Sequence, residues 1–219
     1  MDHNKNFKTL KIGYFADGPW SHRSFLKIIS NKQLIISFIV PRQNTKDKTL
    51  KKFCKEYEID YLPNSNVNSE KFIKQIIEYN VDLFVSMSFN QIFKKNIISI
   101  PKLGVINCHA GKLPFYRGRN VLNWVLINGE KNFGITVHYI DENIDTGDII
   151  EQRIFPISED DNYSTILETA YKNCPLILYE SILKILNNNV KTTKQNDIHH
   201  KGSYCRKRKV GDIKVDGGS

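Results

Sequence analysis

Cysteine is sparse and never clustered in this chain of 219 residues: Cys54, Cys108, Cys174 and Cys205 stand singly, with no CxxC and no metal-ligand spacing. That pattern excludes a disulfide scaffold and a cysteine-built zinc site, and leaves reduced thiols in the cytoplasm as the expected state. Long apolar runs are missing too; no stretch reaches the roughly 18 residues that a membrane-spanning helix needs. The opening residues, MDHNKNFKTLKIGYFADG, carry lysines but no apolar central region and no small-residue cleavage site. No secretory signal is therefore expected. His199 and His200 adjoin without a cysteine or carboxylate at ligand spacing, so no metal is expected either. No internal repeat is visible. GxGxxG is also absent: after the first apolar run stand Gly13, Asp17, Gly18 and Pro19, which argues against a standard dinucleotide loop.

What is present is an ordinary globular composition, 40% hydrophobic and 25% charged, long enough for one good core. The expected organisation is a catalytic unit over 1–189 and a short C-terminal extension over 190–219. The net charge of +9 fits either a nucleic acid or a polyanionic small substrate such as a nucleotide diphosphate. Lys27, Lys46, Lys51, Lys52, Lys71 and Lys74 are spread over predicted helices and read as a solvated surface. Only Arg206-Lys207-Arg208-Lys209 is a true basic cluster. An RNA-binding module lacks support, because there is no RNP aromatic motif, no GxxG clamp and no aromatic interleaving in the basic tail.

Periodicity predicts strands at 10–16 (LKIGYFA), 34–40 (LIISFIV), 59–63, 81–87 and 104–109. Helices are predicted between them, the first starting near Ser21 as N-cap, then about 46–57, 69–79 and 120–128. Strands near 134–140 and 148–156 read as a hairpin-like return, followed by a long helix over 162–188. The fold class is α/β: a mostly parallel, Rossmann-like sheet with helices on both faces. In such sheets ligands sit beyond the carboxyl ends of the strands.

The chemistry concentrates between Gly104 and Ile150. Asn107 and His109 stand two residues apart at the end of one apolar run, and a second run leads to Asp145-Thr146-Gly147-Asp148. A carboxamide can donate to a developing oxyanion, an imidazole can move protons near neutral pH, and a carboxylate can hold the imidazolium. No Ser or Cys partners the histidine, so direct acyl transfer is the natural reading rather than a covalent enzyme intermediate. Cys108 lies between Asn107 and His109. If those two face a site from a strand, Cys108 faces away and is a buried structural thiol. His138, in the strand VHYI, is either a supporting residue or a satisfied strand histidine. Taken singly, Asn107 reads as a strand-end turn residue and Asp145 as an Asx turn.

Asn107-Cys108-His109, Leu113-Pro114, Tyr116-Arg117-Gly118 and Asp145-Thr146-Gly147-Asp148 together resemble the folate-dependent formyltransferase family over about residues 10–160. The resemblance implies the formyltransferase fold, N10-formyltetrahydrofolate as co-substrate, an amine as acceptor, and Asn107, His109 and Asp145 as the catalytic residues. It also implies that Ser88, Phe89, Asn90, Gln91 and Phe93 line the pterin slot, which the loop from Asp141 to Asp145 closes. Phe89 and Phe93 can at the same time be core packing.

The run Tyr116-Arg117-Gly118-Arg119, then Leu122 to Leu126 and Asn128-Gly129-Glu130, is similar to the branch acting on nucleotide-linked amino sugars, as is Asp17-Gly18-Pro19-Trp20. That branch implies a dTDP- or UDP-linked amino-deoxy sugar destined for surface polysaccharide, and a homodimer. Arg117, Arg119, Asn123, Trp124 and Arg206 are the residues implied to hold it, since guanidinium pairs bidentately with phosphate. By helix period Trp124 fits a buried position equally well. Arg206 and Arg208 would close over a diphosphate, meet a dimer partner, or remain a solvated tail. Members directed at transfer RNA carry a C-terminal β-barrel beyond the point where this sequence ends. Members acting on glycinamide ribonucleotide carry a glycine-rich phosphate loop after the first strand.

Overall fold

The structure, a computed structural model, describes residues 8–212. Strand β1 (Leu10–Ala16) is buried at every position except Lys11, the mark of a strand covered on both faces. It alternates with helices as expected: α1 (Gly18–Ile29), β2 (Leu34–Val40), α2 (Thr49–Glu56), β3 (Asp60–Tyr61), α3 (Glu70–Ile77) and β4 (Leu83–Met87). Next come α4 (Lys95–Ile98), β5 (Val105–His109), β6 (Arg117–Gly118), α5 (Val121–Ile127), β7 (Asn132–Tyr139) and β8 (Ile149–Pro156). The chain continues through α6 (Tyr163–Leu186), α7 (Gln195–Ile198) and β9 (Tyr204–Cys205). Among the described residues no helix is long and apolar enough to cross a membrane.

Seven strands form the main sheet in the order β3-β2-β1-β4-β5-β7-β8. The five from β3 to β5 are parallel, and β7 and β8 join antiparallel, the hairpin-like return expected from sequence. Side-chain alternation divides the core. Ile12 and Tyr14 join Phe25 and Ile28 of α1, Leu50 of α2, Val121 of α5 and Ile177, Leu178 and Ile182 of α6 on one face. Phe15 and Phe84 join Phe72 and Ile76 of α3 and Ile97 of α4 on the other. The helices therefore cover both faces, and the chain order reverses direction between β1 and β4, the place where such sheets open a crevice.

One helix start differs from expectation. α1 begins at Gly18, with Asp17 at the N-cap position, and Ser21 lies inside the helix with its hydroxyl donating to the Gly18 carbonyl at 2.6 Å. Gly18 in the left-handed region (φ 71°) turns the chain three residues early, and its helix-start N–H is satisfied from afar by the Asp47 carboxylate at 3.0 Å. The long helix α6 has a full local cap: Asn162 accepts from the N–H groups of Ser164 and Thr165, while the Thr165 hydroxyl accepts from the Asn162 N–H. The chain after α6 returns to the sheet end, where β9 pairs in parallel with β6 to form a second, two-stranded sheet.

Candidate active site

In β5, Ile106 and Cys108 turn to the α1–α6 face, where the Cys108 thiol meets the Cys174 carbonyl at 3.9 Å. Asn107 and His109 turn to the opposite side, as strand alternation requires. Asn107 is the cross-strand partner of His138 in β7, with its amide nitrogen 3.4 Å from His138 Nε2. The β7–β8 register slips between Val137 and His138, a local bulge of the kind that re-aims a side chain. His138 Nδ1 lies 2.8 Å from the Tyr139 carbonyl. A carbonyl only accepts, so Nδ1 carries a proton, while Nε2 faces both the Asn107 amide and the Asp145 carboxylate. The second N–H of the Asn107 amide is left for a ligand.

His109 is oriented in the same manner. Its Nε2 donates to the Tyr116 carbonyl at 2.7 Å, leaving Nδ1 as the ring position that can take up a proton. A Cβ on Gly111 would lie 2.4 Å from that Nε2, so only glycine leaves room for the ring.

Asp145 sits in the left-handed region (φ 54°), with Oδ2 accepting from the Gly118 N–H at 2.9 Å. The same oxygen is 3.7 Å from His109 Nδ1, and Oδ1 is 3.5 Å from His138 Nε2. Burial alone would raise the Asp145 pKa; the charge of His109, the hydrogen bond and charge of His138, and the Gly118 N–H more than offset it. The carboxyl is held well below the ordinary carboxylate range and is ionised throughout the neutral region. At 3.7 Å it acts on His109 through its charge rather than through a hydrogen bond. Ser88, Tyr116 and Asn120 around it are also left-handed, backbone strain of the kind that gathers at functional sites.

These groups open onto a cleft of about 840 Å³ beyond the ends of β4 and β5. Ser88, Phe89, Asn90, Gln91 and Phe93 all line it on one side, and Asp141, Ile144 and Asp145 on another. The rings of Phe89 and Phe93 pack against Phe15, with centroids 5.6 and 5.0 Å away, so these two residues serve core and cleft together. Gln91 is anchored by donating to the Asn64 carbonyl (2.8 Å) and accepting from the Val67 N–H (3.0 Å). Asp141 holds its turn by accepting from the Asn143 N–H and the Thr146 hydroxyl. Arg119 and Asn123 also line the cleft.

Three residues expected to hold substrate are placed elsewhere. Arg117 is buried (6% exposed); its guanidinium is occupied by the Gln195 side chain and the Lys201 carbonyl and does not line the cleft. Trp124 and Arg206 line a neighbouring cavity of about 700 Å³, with the Arg206 guanidinium 4.9 Å over the indole and paired to Asp212. Residues that sequence reasoning missed take their places around the cleft. Arg42 donates to the Ser88 carbonyl and hydroxyl, and its signal was an arginine just past the carboxyl end of β2. Lys207 and Asn120 line the cleft, and Gln195 grips the Asp145 turn.

The chain belongs to the formyl transferase family, whose model matches residues 22–182. It is 37% identical over 149 residues to the methionyl-tRNA formyltransferase of Azobacteroides pseudotrichonymphae genomovar. CFP2, covering 68% of this chain and 45% of that protein. It is 33% identical over 168 residues to the bifunctional polymyxin resistance protein ArnA of Wigglesworthia glossinidia brevipalpis, covering 77% and 25%. The chain thus spans less than half the length of both relatives. Among solved structures it is similar to WlaRD, a sugar 3N-formyl transferase crystallised in the presence of dTDP and 5-N-formyl-THF. The TM-score is 0.70 and the identity 27%, over 90% of this chain and 69% of that one. The phosphoribosylglycinamide formyltransferase of Anaplasma phagocytophilum shares the fold, with a TM-score of 0.74 at 20% identity, over 91% and 100%.

Proposed function

We propose that the chain transfers a formyl group from N10-formyltetrahydrofolate to the amine of a dTDP- or UDP-linked amino-deoxy sugar. The observation that carries formyl transfer is the convergence of Asn107, His109 and Asp145 at one end of a ligand-sized cleft. The residues present fit a reduced folate. A flat bicyclic ring wants main-chain donors and acceptors between apolar walls, and the 86–93 and 140–145 segments offer both, with Met87, Ile92, Ile140 and Ile144 among the lining.

Bound there, the folate would supply an activated formyl carbon on its N-aryl nitrogen N10, which departs as a secondary amine. The free N–H of Asn107 stabilises the charge that develops on the formyl oxygen as the acceptor amine adds. His109 Nδ1 takes the proton from that amine, and the Asp145 carboxylate stabilises the resulting imidazolium. The same Nδ1 then returns the proton to the departing nitrogen. Tyr116, through its carbonyl, keeps the ring aimed throughout.

For the acceptor, Arg119 and Lys207 bring positive charge to the same cleft, as a nucleotide diphosphate would require. The likeness to WlaRD supports a nucleotide-linked sugar. A ribonucleotide phosphate at the first strand–helix turn is disfavoured, because the N–H of Gly18 is already taken by Asp47, itself in contact with His22. Methionyl-tRNA is the second reading, favoured by the likeness to a methionyl-tRNA formyltransferase at 37% identity over 149 residues. A competition experiment separates the two: equal concentrations of dTDP- and UDP-amino sugars and methionyl-tRNA, with N10-formyltetrahydrofolate limiting and products identified by mass spectrometry. The proposal expects a formamide on one sugar; formylation of methionyl-tRNA alone would replace it with the second reading.

A further inference from the structure

We infer that Gln195 is a positioning residue for Asp145, and that through it the segment following the long helix α6 sets the geometry of the catalytic carboxylate. Gln195 is buried (3% exposed) and every hydrogen-bonding position of its carboxamide is used. Nε2 donates to the carbonyls of Asp145 (2.8 Å) and Gly147 (2.7 Å). Oε1 accepts from Nε (3.1 Å) and Nη2 (2.8 Å) of Arg117. Only a carboxamide supplies two donors on one end and a two-lone-pair acceptor on the other. A carboxylate would set an oxygen against two carbonyl oxygens, and an apolar chain would strand all four groups in a buried place.

The consequence follows from which atoms are tied. Asp145 holds a left-handed backbone conformation that a non-glycine residue adopts only when its surroundings impose it. Gly147, two residues on, is pressed so closely against β7 that a Cβ there would lie 1.8 Å from the Tyr139 carbonyl. Gln195 draws the carbonyls on either side of Thr146 towards one point and so fixes the turn between these constraints. On its other side it holds Arg117, whose next residue, Gly118, donates to Asp145 Oδ2 at 2.9 Å. Both ends of the Asp145–Gly118 hydrogen bond are thus anchored to one side chain. The carboxylate in turn stands 3.7 Å from His109 and 3.5 Å from His138, so a slackened turn changes the field at the proton-transferring ring. Gln195 touches no reacting group; it acts through Asp145.

The kinetic part of the test rests on the formyl-transfer reading, so a structural readout accompanies it. In the full-length protein, Gln195→Met and Gln195→Glu are compared with wild type for kcat, KM of donor and acceptor, the pH profile of kcat, and the Gly118 amide and His109 ring resonances in 15N NMR. The positioning role predicts a fall in kcat of about ten- to a hundredfold, KM values within about twofold, a displaced pH profile, and a moved Gly118 amide. A folded Gln195→Met protein with wild-type kcat, pH profile and Gly118 resonance would overturn it. If neither variant folds, Arg117→Lys, which removes the two-pronged contact but keeps the charge, decides the matter: lowered kcat at unchanged KM supports the role, and wild-type kcat overturns it. Should wild type formylate no acceptor at all, the functional reading fails, while the Gly118 and His109 resonances still decide the positioning claim.

Discussion

His109 takes its orientation from two neighbours that do not titrate with it, the Tyr116 carbonyl at 2.7 Å and the bare α-carbon of Gly111. Gly111→Ala would push a methyl group into Nε2 and the Tyr116 carbonyl. We expect about a hundredfold loss of kcat, together with a destabilisation of roughly 1–3 kcal/mol visible in thermal denaturation. Asn107→Ala removes the proposed oxyanion donor without disturbing that ring; steady-state kinetics should show kcat lower by about 10²–10³ with KM little changed. Asp145 makes a pH prediction. Its folded pKa is depressed, so the stability it contributes is fully present above the unfolded value of about 3.9 and is lost as the pH falls below that towards the lower folded value. Urea midpoints between pH 6 and pH 3 should therefore fall in wild type, and fall less in Asp145→Asn. An equal slope in the two proteins would mean that the two histidines do not stabilise the carboxylate.

At the scale of elements, the strands were legible because each is an unbroken apolar run, and a strand buried on both faces needs nothing more. β1, β2, β4 and β5 fall within one or two residues of expectation. Helix starts were legible only where the cap is local. Asn162 and Thr165 cap α6 from their own sequence, and Asn162→Ala should lower stability by about 0.5–2 kcal/mol in denaturant titration while leaving the kcat of the folded protein intact. At α1 the N–H of Gly18 is served by Asp47, 29 residues away, and no local pattern announces that. The β6–β9 ribbon was illegible for the same reason: two residues per strand, joined across 86 intervening positions, leave no periodicity to read. That ribbon explains the fate of Arg117. The sugar-branch resemblance, with the fit of guanidinium to phosphate, implied a phosphate ligand there, but pairing with β9 turns the side chain inward to Gln195. That Asn107, His109 and Asp145 meet at one cleft was readable because a carboxamide, an imidazole and a carboxylate at neighbouring strand ends are few enough to single out. Gln195 was not, since a glutamine in a polar stretch carries no signal until the turn it binds is known.

At the scale of the whole molecule, 32 lysines and arginines against 23 carboxylates give a net charge of +9, with Arg119 and Lys207 at the cleft. An anionic acceptor should be drawn in by that field, so kcat/KM for a nucleotide-linked sugar should fall as salt rises from about 0.1 to about 1 M, where the Debye length contracts from about 10 to about 3 Å. The kcat at saturation should change far less, and a kcat/KM indifferent to salt would argue for an uncharged acceptor. The central claim is formyl transfer run by His109 beside Asp145, and the most direct measurement is single-turnover formamide formation from N10-formyltetrahydrofolate with wild type and His109→Ala side by side. The account predicts a formylated amino sugar with wild type and a loss of at least about 10²-fold in the variant, with folate affinity retained. Equal rates in the two proteins, or no folate binding by either, would contradict it.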